Sequence, residues 1–116
     1  MKDILLATSG ILAMIISVVH GYLGETKVVQ PVTGLPASAK RILQAIMFLS
    51  ALYWFIGGAL LAVAPFTFSA DGRLIAGWGV GAVFASGVIA NFWATRGRHF
   101  GWMLLAVATA LAWAGA

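Results

Sequence analysis

ILQAIMFLSALYWFIGGALLAVA, Ile42 to Ala64, is uncharged from end to end. A helix crossing a hydrocarbon core of about 30 Å needs roughly 20 apolar residues, so this stretch predicts a transmembrane helix. The apolar run continues beyond it, but Pro65 followed by Thr67, Ser69, Asp71 and Gly72 predicts a break and a short loop. Three further uncharged stretches surround it: Ile4 to Gly24, Leu74 to Thr95, and Phe100 to Ala116. The last is the shortest and falls at the lower limit of about 17 residues. The first has its Lys2 offset by Asp3 and no small-x-small site before Gly24, so it reads as a retained span rather than a cleaved signal peptide.

Composition agrees. The chain is 62% hydrophobic and 9% charged, with a mean hydropathy of +1.01. A soluble domain of this length shows polar faces to water along every element, whereas here the charges are confined to short clusters. The expected fold is therefore all-α: one integral membrane domain over residues 1–116, an antiparallel bundle of four transmembrane helices spanning 4–24, 42–64, 74–95 and 100–116. The net charge of +4 comes from seven basic residues scattered over loops. They form no continuous stripe, so nucleic acid is not an expected partner. Without cysteine there is no disulfide, thiolate metal site or thiol nucleophile.

The connection 25–41 is the longest polar segment. Pro31, Gly34 and Pro36 prevent it from forming one helix, Gly24 lets the chain leave the first helix, and Ser38 is the expected cap of the second. Lys and Arg in short loops are retained in the cytoplasm. Lys27, Lys40, Arg41, Arg96 and Arg98 fall on one side and Lys2 and Arg73 on the other. Loop 25–41 is accordingly cytoplasmic and both termini are not. Trp78 and Trp93, and Trp102 and Trp113, stand near the ends of the third and fourth spans, as interfacial belts require.

Small residues at spacings of three or four mark the faces on which membrane helices pack. The first span offers Gly10, Ala13, Ser17, His20 and Gly24; the third, Gly77, Gly81, Phe84, Val88 and Asn91; the fourth, Ala106, Ala110 and Ala114. The second offers either Ser50, Tyr53 and Gly57 or Gln44, Met47, Ala51, Trp54 and Gly58, and periodicity does not choose.

His20, Gln44 and Asn91 each fall about one turn inside the cytoplasmic boundary and are expected to form one polar layer. The candidate ligand-binding residues are His20, Glu25, Gln44, Asn91 and Arg96. The packing alternative pairs His20 with Asn91 and Glu25 with Arg96 or Arg98. Tyr53 and Trp54 read as a core pair near mid-membrane. His99, in or beside a loop, leaves His20 without a facing partner for haem ligation. No metal, phosphate or nucleophile motif occurs, so no catalytic residue, metal or cofactor is expected and the chain does not read as an enzyme.

The segment HGYLGE, His20 to Glu25, closes an apolar helix and precedes a Pro-containing loop and an Arg-led second helix. In this H-x-x-L-G-E pattern the first half of the chain resembles small bacterial four-span membrane proteins of unassigned function. The resemblance implies no activity and draws attention to His20, Gly24 and Glu25. In length and span number the chain also resembles the four-span small multidrug resistance exporters, but these rely on a carboxylate within the first span, and none lies between Ile4 and Gly24. The function expected by exclusion is an accessory or scaffolding subunit of a bacterial inner membrane, with the lipid bilayer and other membrane proteins or itself as partners. The alternative is a small carrier or ligand-binding protein built on the layer around His20.

Overall fold

The computed structural model describes residues 1–116. Every regular element is helical: α1 (Lys2–Leu23), a π-helical segment (Gly24–Val29), α2 (Ala37–Thr67), α3 (Ala70–Thr95) and α4 (Gly101–Gly115). Three helices are long and apolar enough to cross a membrane, the first of them being α1 with its π-helical continuation; α4 is a shorter apolar helix. The long axis measures 51 Å.

α2 outlasts the Ile42–Ala64 stretch at both ends and carries Pro65 inside its last turn. A proline denies one N–H to the carbonyl four residues back. Two residues beyond it the helix is finished, and Phe68 closes it by donating its N–H to the Ala64 carbonyl at 3.0 Å. Ser69 then caps α3, its hydroxyl accepting the Gly72 N–H at 3.2 Å, with Asp71 in the first turn where the helix dipole favours an anion.

The 25–41 connection is more helical than its prolines suggest. Gly24 keeps right-handed helical angles (φ −58°, ψ −48°) instead of releasing the chain. The helix widens there: Gln30 donates to Glu25 at 2.9 Å, five residues back, while the Thr26 hydroxyl donates to the Tyr22 carbonyl at 2.8 Å. A hydroxyl inserted into the ladder is a recognised cause of such a local rearrangement. The turn proper is short, with Gly34 at φ +80°. Ser38 lies inside α2, whose N-cap is Pro36 without a side-chain cap bond. Lys40 ties the preceding segment to the start of α2, its ammonium donating to the Gln30 and Val32 carbonyls at 3.3 Å each.

α1 packs along α2 and α4, α3 along α4, and α2 less extensively along α3. As residue numbers rise along α1 they fall along α2: the Gly10 backbone approaches that of Gly58 and Ala62, His20 meets Ser50, and Glu25 meets Gln44. At the opposite end Arg73 and Asp3 form an ion pair. Leu6, Leu61, Phe84, Leu105 and Ala108 form the center of the core.

The expected faces of α1 and α3 are the observed ones: Gly10, Ala13, Ser17, Gly77, Gly81 and Phe84 are buried. On α2 the Trp54 and Gly58 face is inward. Tyr53 is 59% exposed beside a buried Trp54, because adjacent helical residues point about 100° apart; they are not a core pair. α4 turns the other way from expectation. Leu105, Ala108, Thr109 and Ala112 are buried, whereas Ala110 and Ala114 are exposed and Ala106 is half-buried. Alanines occupy two stripes of this helix, so small size does not mark one, and the stripe bearing the buried Thr109 hydroxyl faces the core.

Candidate functional site

α1 and α4 are in close contact toward one end, where the Ser9 hydroxyl donates to the Ala108 carbonyl at 2.7 Å. Toward the other end a cleft of about 370 Å³ lies between them, floored by residues of α2 and α3. Its walls are mainly apolar, with Leu12, Ile15, Ile16 and Val19 of α1 and Leu104 of α4. His20, Lys27, Asn91, Thr95 and His99 supply its polar groups. The volume lies near the low end of the roughly 300–1,000 Å³ of small-molecule sites, and the apolar lining with few polar groups is their usual character.

The His20 ring rests on Trp54, centroids 4.4 Å apart and planes tilted by 46°. Its Nε2 lies 3.2 Å from Ser50 Oγ. Ser50 already donates its one proton to the Met47 carbonyl at 2.9 Å, so toward His20 its oxygen accepts and Nε2 carries the hydrogen. In the neutral imidazole Nδ1 is then the bare acceptor. It has no partner in the protein, yet no buried side-chain nitrogen is left unpaired. Nδ1 is therefore accessible, on a residue that lines the cleft.

No family model, curated protein or solved structure matches the chain. What the site does is accordingly read from its own chemistry.

The expected polar layer divides in two. His20 and Asn91 share the cleft but do not bond each other; Asn91 Nδ2 donates to the Gly87 carbonyl at 2.8 Å within its own helix. Glu25 and Gln44 lie along a separate outer groove that also includes Arg41, where the Gln44 amide donates to both Glu25 oxygens at 3.1 Å. Glu25 thus faces α2, not Arg96 or Arg98, and the only ion pair in the protein is Arg73 with Asp3. Arg96 contributes its backbone: it is the C-cap of α3 in the left-handed region (φ 52°, ψ 36°), and its side chain is in neither the cleft nor the groove.

His99 is the residue that the sequence reading set aside. It stands in the α3–α4 connection, yet lines the same cleft as His20, so the two imidazoles are not held apart. Its Nδ1 accepts the Gly101 N–H at 3.1 Å, which leaves Nε2–H as the donor of the neutral ring. Two histidines in one short apolar chain were the available signal, but only the fold, in which α1 and the α3–α4 connection line one cleft, reveals that they share it.

Charge is distributed unequally. Lys27, Lys40, Arg41, Arg96 and Arg98 flank the cleft end against the single carboxylate of Glu25, while Lys2 and Arg73 at the other end are matched by Asp3 and Asp71, so the whole net charge of +4 resides at the cleft end. No carboxylate lines the cleft.

Proposed function

We propose that this chain is a four-span integral membrane protein that binds a small lipid-soluble ligand in the cleft beside His20, as a carrier or binding protein. The observation carrying this reading is an apolar cleft lined by a histidine whose Nδ1 has no partner in the protein. A bilayer surrounds the exposed apolar side chains, among them Ile4, Ile11, Val18, Ile46 and Phe55. The aromatic pairs Trp78 with Trp113, stacked at 5.4 Å, and Trp102 with Phe92, edge to face at 5.1 Å, suit two interfaces at opposite ends of α3 and α4. The antiparallel four-span arrangement sets the basic end in the cytoplasm of a bacterial inner membrane and both termini on the far side.

A second reading, an accessory subunit packing beside other membrane proteins, is favoured by the uncovered Ala110 and Ala114 on α4. Purification in a mild detergent followed by mass spectrometry separates the two. Recovery of a lipid-soluble small molecule with the wild type, and its loss from Leu104→Trp, supports the cleft. Stoichiometric recovery of another membrane protein with no small molecule supports the accessory subunit.

A further inference from the structure

We infer that the occupant of the cleft is a long-chain carboxylic acid, held with its head at His20 and its chain along Ile15, Ile16 and Leu104. This rests on the ligand-binding reading above and adds the chemical class of the ligand.

The head follows from hydrogen-bond accounting. The Met47 carbonyl, the Ser50 hydroxyl and His20 Nε2–H form a directed chain, which leaves Nδ1 an accessible acceptor on a residue that lines the cleft. A ligand with only acceptors, such as an ester or ketone, leaves that nitrogen unpaired once it displaces water, and an unpaired buried acceptor is costly. A carboxylic acid supplies the missing proton. Its O–H donates to Nδ1, or the proton transfers and leaves a carboxylate beside an imidazolium whose Nε2–H still donates to Ser50. One proton lies between oxygen and nitrogen in either state, and no other reactant is needed.

Charge selects the acid over an alcohol or amine. The lining holds Lys27 and the Nε2–H donor of His99 but no carboxylate, since Glu25 is turned away into the Gln44 groove. An anionic head meets cations there, and an alkylammonium head meets like charge. Size selects one chain over two: about 370 Å³ is small for a ligand site.

The test uses the full-length protein in mild detergent, titrated with palmitate and with methyl palmitate and read by thermal stabilisation. Wild type should bind palmitate at least tenfold more tightly than the ester. Lys27→Gln, at an exposed position, and His20→Phe, which keeps a ring against Trp54 but offers neither an acceptor nor a proton site, should each erase most of that preference. Leu104→Trp should weaken both ligands. Equal affinity for acid and ester in the wild type, or a preference untouched by Lys27→Gln, overturns the carboxylic acid and leaves the cleft standing, provided Leu104→Trp still weakens binding. Binding of neither probe, or binding indifferent to Leu104→Trp, overturns the cleft reading as well. Dipalmitoyl phosphatidylglycerol competing as well as palmitate overturns the single chain.

Discussion

Ser9 on α1 donates its hydroxyl to the Ala108 carbonyl on α4, 2.7 Å away, and both residues are fully buried. The bond links helices almost a whole chain apart in sequence, where each backbone is otherwise satisfied within its own helix. Interhelical bonds of this kind average about 0.6 kcal/mol. Ser9→Ala, which removes the donor and leaves a carbonyl still bonded along α4, is expected to cost about that much in a detergent unfolding titration. Ser9→Leu should cost several times more, because the helices must separate to admit it. Equal losses from the two would show that the seam is not tightly packed.

α1 and α2 approach each other closely, backbone to backbone. A Cβ on Gly58 would stand 2.7 Å from the Gly10 carbonyl oxygen and 3.1 Å from the Met14 nitrogen, both backbone atoms that cannot swing aside. Gly58→Ala is therefore expected to destabilise by about 1–3 kcal/mol. Gly79 on α3 has nothing within 4 Å of the same position, and there alanine should stabilise by up to about 1 kcal/mol through helix propensity. Melting temperatures of the two variants should move in opposite directions; an unchanged or raised value for Gly58→Ala would disprove the assigned crossing.

Where sequence reading succeeded and failed follows from the range of the forces involved. The small-residue faces of α1 and α3 and the presence of long apolar helices are consequences of local spacing, and they are visible in the chain itself, whereas Ser38, the expected cap, lies inside α2. The inward face of α4 is not, because two alanine stripes compete and the choice depends on Ser9, a partner nearly a hundred residues away. The same applies to the site. His20 and Asn91 were legible as polar residues at one depth, but the division of Gln44 and Glu25 into a separate groove depends on a π-helical turn, and the approach of His99 depends on how a connection folds back.

Arg96 supplies a further test. It occupies the left-handed region at φ 52°, where a Cβ costs roughly 1–2 kcal/mol. Glycine is the usual residue at a helix C-cap of this geometry. Arg96→Gly is expected to raise stability by about 1 kcal/mol at most, since glycine also loses more backbone freedom on folding, and to leave palmitate binding unchanged. A loss of stability would mean that the guanidinium holds a partner.

Orientation is tested at the ends of the chain. With five Lys and Arg at the cleft end and two at the other, the proposed orientation keeps the cleft end in the cytoplasm. Alkaline phosphatase fused after Ala116 should be active, and a fluorescent protein fused there and dependent on cytoplasmic folding should stay dark. The reverse pair of results would invert the protein in the membrane and present the mouth of the cleft to the other compartment.

Only 22 of the 116 residues are buried by the chain itself. A water-soluble domain wets its core on unfolding and gains roughly 12–15 cal/mol/K of heat capacity per residue. Parting these helices within a bilayer would instead exchange helix neighbours for acyl chains, and water would reach few of the released surfaces. The heat-capacity increment should then be a small fraction of that for a soluble domain of equal length, and the stability curve nearly straight. Cold would not weaken such a fold, because the solvent whose ordering drives cold denaturation is largely absent from its interfaces.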